Sequence, residues 1–395
     1  MLGTALSQLA LGLMSTLVPL LMLQDGASSG VIGLVASGYY VGFLLGAVTT
    51  ARLVIRFGHI RAYAAMAALA AIAAQMLVFS VHPVVIAVSR TILGYACSGL
   101  FLAAESWLND RADSHTRGRF LGAYMLVNWG ASALGPLLLR VTPPTQALFA
   151  LVGMCLAGAV LPMALTQQAN PVISQSRGLG LRTLFGISPV GAACCIAAGL
   201  LNSVIQAMMP AFLGPRGFDA QDISTFAAAV TVAGMLSQYP VGRLADRIER
   251  RRLTLMVLGS ALVSALLMLL VAGNSLTLVL LFGCLMAGST SPLYGLGAGQ
   301  MNDRLDRSDY VAAAGGLLFA WSIGATVGPA LAGALMEAIG PMGLFVYLCG
   351  AMLLVAGFVV LRMFARADVP RGQQSGFTPG GVTPPRLAQP PVKRV

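Results

Sequence analysis

Two ionisable side chains lie well inside long apolar stretches of this chain, Arg90 and Glu105, and both fall on the same stretch, residues 84-107. Fifteen residues of helix would set them about 22 Å apart along the axis and only about 60° apart around it. Both can therefore face one cavity, but no direct salt bridge can join them. A carboxylate buried without a partner can carry a proton between the two faces of a membrane. The alternative places Glu105 in the interfacial layer, paired with a cation such as Arg111 or Arg117. Arg90 has two readings as well: a guanidinium turned into a cavity, or one snorkelling outward along its helix.

Uncharged polar residues are the next candidates. Asn202 and Gln206, at i and i+4 with Ser203 beside them, draw a polar stripe along the apolar run 188-213. Such a stripe either lines a cavity or hydrogen-bonds a neighbouring helix. Tyr294 follows Pro292 and precedes Gly295, Gly297 and Gly299, which makes it an aromatic beside a breakable segment. Gln8, Tyr39 and Tyr40 are further polar or aromatic positions with no spacing argument behind them.

Catalytic chemistry has no comparable support. No His/Cys/Asp cluster has metal-ligand spacing, and no phosphate-binding loop, nucleophile elbow or dinucleotide fingerprint is present. The six cysteines, Cys97, Cys155, Cys194, Cys195, Cys284 and Cys349, all lie inside apolar runs, where they read as small packing residues. The expectation is a protein that is not an enzyme and uses no metal or cofactor.

The elements that must position these residues are membrane helices. Charged residues make up 9% of the chain and apolar ones 57%, with mean hydropathy +0.83; soluble domains carry roughly 25% charge. A span takes about 20 apolar residues, and twelve runs of that kind are visible, at 2-23, 30-51, 62-80, 84-107, 118-139, 146-166, 188-213, 221-242, 253-272, 275-299, 310-336 and 341-364. The net charge of +11 does not mark a nucleic-acid surface, because the cations are not gathered in one patch. All of the 24 Lys and Arg except Arg90, Arg140 and Arg216 fall in alternate loops or the tail, which places those loops and both termini in the cytoplasm. The first run has no basic leader and reads as a retained helix that begins almost at Met1, so a short cytoplasmic leader can precede it.

A duplication sets the arrangement of the spans. Asn109-Asp110-Arg111 recurs as Asn302-Asp303-Arg304, Gly135-Pro136 as Gly328-Pro329, and Gly122 as Gly315, each 193 residues on. That offset passes six runs, an even number, so the two halves run parallel rather than inverted. The expected organisation is a six-helix bundle at 1-166, a cytoplasmic linker at 167-187, a second six-helix bundle at 188-366 and a disordered Pro/Gly-rich tail at 367-395, whose basic residues can touch anionic lipid. Proline removes a backbone donor and crowds the preceding turn, so Gly135-Pro136 and Gly328-Pro329 should kink the fifth and eleventh spans.

GRLADRIERR, Gly242 to Arg251, closes the eighth run with four arginines and two acids. Its pattern resembles the loop after the second and eighth helices of the major facilitator superfamily. The first copy is degraded: Arg52, Arg56, Gly58 and Arg61 remain, with Ala51 and Ile55 where Gly and Asp are usual. Arg90-x-x-x-Gly94 is similar to the family's fourth-helix motif. LSQYPVGRLADR, TLVPL, GRFLGAYMLV and QQAN resemble the YcaD-type bacterial branch.

The resemblance implies an all-α membrane protein of twelve transmembrane helices in two parallel six-helix bundles, with helices one, four, seven and ten around a central cavity. It implies a secondary transporter of the bacterial inner membrane that moves a small organic solute or amphipathic compound by alternating access, coupled to protons. Arg90, Asn202, Gln206 and Tyr294 would contact substrate. Glu105 and Arg90 would couple the proton, since the family's fourth-helix Arg is implicated in proton transfer or anion binding. Gly242, Asp246, Arg247 and Arg251 would latch the cytoplasmic side, with Asp246 against the start of the fifth helix. A monomer is expected. An uncoupled facilitator and a transport-inactive receptor or scaffold remain as alternatives, because no acid stands in the first, seventh or tenth run. The Gly-Pro of the fifth run points only weakly to antiport, since Leu137-Leu138-Leu139 stand where the family places further glycines.

Overall fold

A computed structural model describes residues 1-111, 117-165, 178-271, 275-306 and 309-365. All regular structure among them is helical. The helices are α1 (Leu2–Gln24), α2 (Ser29–Phe57), α3 (His59–Phe79), α4 (Pro83–Arg111), α5 (Arg117–Leu137), α6 (Ala147–Gly158), α7 (Leu161–Ala164), α8 (Leu181–Ile187), α9 (Pro189–Leu213), α10 (Ala220–Ala245), α11 (Arg250–Val271), α12 (Leu276–Thr290), α13 (Leu293–Asn302), α14 (Tyr310–Ile339) and α15 (Gly343–Ala365).

Ten stretches of the described chain are long and apolar enough to cross a membrane, so the protein is an all-α, multi-spanning membrane protein. The two expected spans outside that set are α5 and α10. At 21 and 26 residues they are long enough, but α5 carries Arg117, Arg119 and Asn128, and α10 opens on Gln221, Asp222, Ser224 and Thr225. Two spans are broken. The sixth divides into α6 and α7 around Ala159 and Val160, just ahead of Pro162, and the tenth divides into α12 and α13 at Ser291-Pro292. In both cases a proline withholds an N–H from the ladder.

The ends are set by local chemistry. Ser28 caps α2 by accepting from the Val31 N–H (3.4 Å), Ser188 caps α9 ahead of Pro189 (Gly191 N–H, 3.2 Å), and Asp219 caps α10 (Asp222 N–H, 2.8 Å). Between α2 and α3 the chain turns through Gly58 at φ +83°, open to glycine at little cost.

Packing repeats the duplication. Within the first half α1 lies against α5 and α6, α2 against α4, and α3 against α4 and α6. Each pair has its counterpart: α9 against α14 and α15, α10 against α12, and α11 against α12 and α15. Across the halves α2 meets α14, α5 meets α10 and α1 meets α9. Small residues permit these approaches, as expected where lipid offers no hydrophobic drive between helices. A side chain at Gly42 would strike the Thr91 carbonyl, and one at Gly94 the Tyr39 carbonyl, so α2 and α4 meet backbone to backbone.

The two Gly-Pro pairs serve the same end. Gly135 lies on the backbone of α1 at Leu9 and Leu13, and Gly328 on the Leu200 carbonyl of α9. Pro136 falls in the last turn of α5, just before a 3-10 turn at Leu138–Arg140, whereas Pro329 lies inside α14.

Candidate functional site

Arg90 sits in the second turn of α4 with 8% of its surface exposed. Its guanidinium stacks over the Tyr39 ring at 4.8 Å, and its Nε has no hydrogen-bond partner. The titratable groups that act on it are Tyr39, Tyr40 and Cys97, none of them a carboxylate. It therefore does not snorkel along its own helix. It lines a small cavity together with Ser15 and Pro19 of α1, Tyr40 of α2 and Gln206 of α9.

A second small cavity shares Ser15 and Gln206 with the first and continues past Ser132, Phe226, Val230 and Thr231 on α5 and α10. Gln206 is exposed to this space although α9 lies in the most buried of the ten membrane-crossing stretches, and Ser15 spends its proton on the Gly12 carbonyl (2.8 Å).

The stripe on α9 divides. Gln206 faces both cavities, while Asn202 donates to the Thr290 carbonyl of α12 (3.4 Å), an interhelical bond. Ser203 is buried with its hydroxyl unpaired against Gly328. Equal spacing on one helix thus leads to two surroundings, because α12 closes over one turn and leaves the next open.

Glu105 is half-buried at the far end of α4 from Arg90. It lies within electrostatic range of Tyr124 on α5 and of Tyr294 on α13, so this carboxylate sits where the two halves meet. The hydroxyl of Tyr294 is buried without a hydrogen-bond partner, and the buried Tyr124 and Asn128 side chains lie beside each other on α5. Neither Tyr124 nor Asn128 was anticipated from the sequence, although they stand at i and i+4, the spacing used to select Asn202 and Gln206. The side chains of Arg111 and Arg117, the proposed interfacial partners of Glu105, lie outside the described residues.

At the motif Gly242–Arg251 the structure adds a partner that sequence reasoning missed. Arg250 Nη1 meets Asp303 Oδ2 at 2.7 Å, with side chains 1% and 5% exposed. The loop motif is thereby tied to the repeated Asn-Asp-Arg, and both halves of that pair were visible in the sequence. Gly299 makes the room, since a Cβ there would stand 2.6 Å from Arg250 Nη1. Gly242 is buried and Asp246 and Arg247 are exposed, with the Asp246 N–H returning to the Gly242 carbonyl at 3.2 Å. Arg251 is buried and reaches the Arg362 carbonyl of α15 at 3.4 Å. The expected seat for Asp246, near Arg117 to Phe120, has side chains outside the described residues apart from Phe120.

The α2–α14 seam has a direction. Gly33 rests on the Pro329 carbonyl, Gly333 on the Ser29 carbonyl, and the Glu337 carboxylate lies on Gly30. One turn deeper, the Ala330 N–H donates to Ser37 Oγ (3.1 Å), and further in Tyr40 and Phe43 meet the Trp321 ring edge-on at 5.8 and 6.0 Å. These contacts shut one end of the space between the halves.

The profile of the Major Facilitator Superfamily matches residues 1–301 and 191–393. The chain belongs to that superfamily. It is 29% identical over 368 residues to an uncharacterised MFS-type transporter of Enterobacter sp. (strain 638), covering 92% of this chain and 94% of that one. It is 28% identical, with the same coverage, to the uncharacterised MFS-type transporter YcaD of Escherichia coli O17:K52:H18 (strain UMN026 / ExPEC). Among solved structures its fold is similar to a bacterial homologue of the human lysosomal transporter Spinster, inward-facing and occupied (TM-score 0.76, 14% identity, 95% of this chain and 97% of that one). It also resembles the nucleoside transporter NupG (TM-score 0.71, 16% identity, 92% and 96%). Those likenesses concern fold alone.

Proposed function

We propose that this protein is a proton-coupled secondary transporter that moves a small organic or amphipathic solute by rocking two six-helix bundles about a central site. Membership of the superfamily makes it a membrane transporter of small solutes. The observation that supports the finer reading is the pair of small cavities sharing Gln206 and Ser15, lined from both halves and level with the seam at Gly33. A binding space at the interface of parallel repeats is what alternating access requires.

On this reading there are twelve spans, with α6–α7 and α12–α13 each acting as one. The domain limits are those expected from the repeat, and both termini face the cytoplasm of a bacterial inner membrane. The shut seam at Ser29 and Glu337 is then extracytoplasmic, and the conformation is inward-facing. The protein is a monomer and not an enzyme, and its partners are solute, protons and lipid. Glu105 takes the proton, held between halves with Tyr294 on one side and Tyr124 on the other.

An uncoupled facilitator is the second reading. It is favoured by the absence of Asp and Glu from α1, α9, α12 and α13.

The test uses proteoliposomes loaded with candidate solutes under an imposed pH gradient. Glu105→Gln should abolish gradient-driven flux and leave solute counterflow largely intact, because it removes the proton's site and not the rocking motion. Unchanged gradient-driven flux would make Glu105 structural. Wild-type flux indifferent to pH would establish the facilitator, and no flux with any solute would leave a receptor or scaffold.

A further inference from the structure

Glu337 stands in the last turn of α14, the unfavourable end of a helix for an anion. No cation shares that turn to offset it. Across the seam α2 has the opposite lack. It begins at Ser29 with no acid in its first turn, where the positive end of its dipole favours one, and the Ser28 side chain accepts from the Val31 N–H alone among the first N–H groups. The two ends meet. The Glu337 carboxylate lies on Gly30, and the three atoms nearest to a Cβ built at Gly30 all belong to Glu337.

Because α2 belongs to the first half and α14 to the second, this contact lasts only while the seam is shut. The cost of a negative charge at the end of its own helix is the same whether the seam is shut or open, whereas the gain from α2 exists in one state alone. The carboxylate is also exposed, so protons of the surrounding solution reach it. Among the described residues Glu337 enters no ion pair.

Other titratable groups near this end have contacts of their own or none with Glu337. Of the elements packed on α14, α2 carries no ionisable residue before Tyr39, α9 only Cys194 and Cys195, and α15 only Tyr347 and Cys349 ahead of Arg362. The Tyr347 hydroxyl donates to the Leu200 carbonyl (3.3 Å). Both α8 and α13 join α14 near its start, around Ala313 and Leu317. In the adjoining turns stand Asp25 after α1, His82 ahead of α4 and Arg216 after α9. His82 Nδ1 accepts from the Val84 N–H (3.4 Å), and Arg216 donates to the Phe212 carbonyl (3.1 Å).

We propose that Glu337 is a proton-sensitive latch between the halves: charged, it holds the start of α2 against the end of α14, and protonated, it lets go. The transport reading above supplies only the sidedness. On that reading this end faces away from the cytoplasm, so acid on the outer face favours the outward-open state. The role differs from that of Glu105, since the proton here shifts the balance between states and does not travel with the solute.

The experiment measures distances between spin labels carried on non-natural amino acids at Gln24 and Met342, both exposed, in the full chain in lipid nanodiscs. From about pH 7.5 to about pH 4, a span that covers ordinary carboxylate titration, the ratio of shut to open molecules should fall about two- to fivefold. The fall should shrink at about 1 M salt, which screens exposed charge. Glu337→Gln should show the lowered ratio already at about pH 7.5 and lose the response to acid. Gly30→Ala, whose methyl meets only the flexible end of the Glu337 side chain, should reproduce much of that loss. His82→Asn and Asp25→Asn should keep the response.

A wild-type response in Glu337→Gln, or a higher ratio of shut molecules in that variant, would overturn the proposal, as would loss of the response in His82→Asn. Should Glu337→Gln not fold, Gly30→Ala decides. The distances depend on no solute, so the two readings fail separately. Proteoliposomes that move no solute while the response stands would sink the transport reading and keep the latch. Gradient-driven flux in a protein whose distances ignore both acid and Glu337→Gln would do the reverse.

Discussion

At the scale of single residues, burial decides what each polar group contributes. Arg250 and Asp303 are both withdrawn from water, so removing one leaves the other charged in an apolar setting, a loss of about 3-5 kcal/mol. Asp303→Leu should therefore lower the thermal unfolding midpoint sharply, and adding Arg250→Met should restore part of it. A single variant as stable as wild type would show that the pair adds nothing. Asn202 and Gln206 call for opposite outcomes. Asn202→Leu gives up the bond to the Thr290 carbonyl and should cost about 0.5-1.5 kcal/mol of stability with little change in solute affinity. Gln206→Leu should weaken solute binding with folded yield preserved, because its amide faces cavity rather than helix. Binding isotherms and melting curves on both variants check this, and parallel losses of yield and affinity in Gln206→Leu would mark it as a packing residue.

At the scale of elements, the seam between α2 and α14 is held by absent side chains. Gly33 touches the Pro329 carbonyl and the Gly333 backbone, and backbone cannot swing aside as a flexible side chain can. Gly33→Val should force the two helices apart at that end, at the cost of about 1-3 kcal/mol typical of overpacking. Since those contacts exist only while this end is shut, the population should move toward the alternative state, by about tenfold for each 1.4 kcal/mol. Spin labels at Asp25 and Ala338, both exposed, should then report longer distances. Unchanged distance distributions would show that the seam does not set the equilibrium. Gly42 and Gly94 hold α2 to α4 within one half, so their substitution should cost folding and leave the distribution between states alone.

At the scale of the whole molecule, the halves repeat in packing but not in charge. The second copy of the loop motif keeps Asp246 and Arg250, whereas the first has Ile55, exposed, and His59, buried, at the corresponding places. A latch resting on Asp246 would then act from one half only. Asp246→Asn should shift the population toward the state open on the terminus-bearing side. Fluorophore distances between that end of α10 and the start of α5 measure this, and identical distributions in wild type and variant would dispose of the latch.

Much of the architecture was legible before any coordinates, because lipid makes harsh demands on a chain. Every span must be apolar for about 20 residues, and every backbone bond must close within its helix. Run lengths therefore reported an all-α, multi-spanning membrane protein directly, whereas the breaks ahead of Pro162 and at Pro292 were not anticipated. The loop motif and Arg90-x-x-x-Gly94 reported the superfamily. The expected spans at 118-139 and 221-242 are helices of full length, α5 and α10, whose polar residues keep them outside the ten stretches long and apolar enough to cross a membrane.

What the tertiary structure decided is which face each helix presents. A helix apolar all round carries no stripe to mark its inner side, so periodicity could pair Asn202 with Gln206 but could not say that α12 covers one and not the other. It could place Arg90 and Glu105 on one side of α4, but not set the guanidinium on Tyr39 or bring Tyr294 of the opposite half toward the carboxylate. It held Arg250 and Asp303 in two separate motifs without joining them. Those relations depend on distances between elements, which are set by where small residues let backbones meet, and only the packed molecule fixes them.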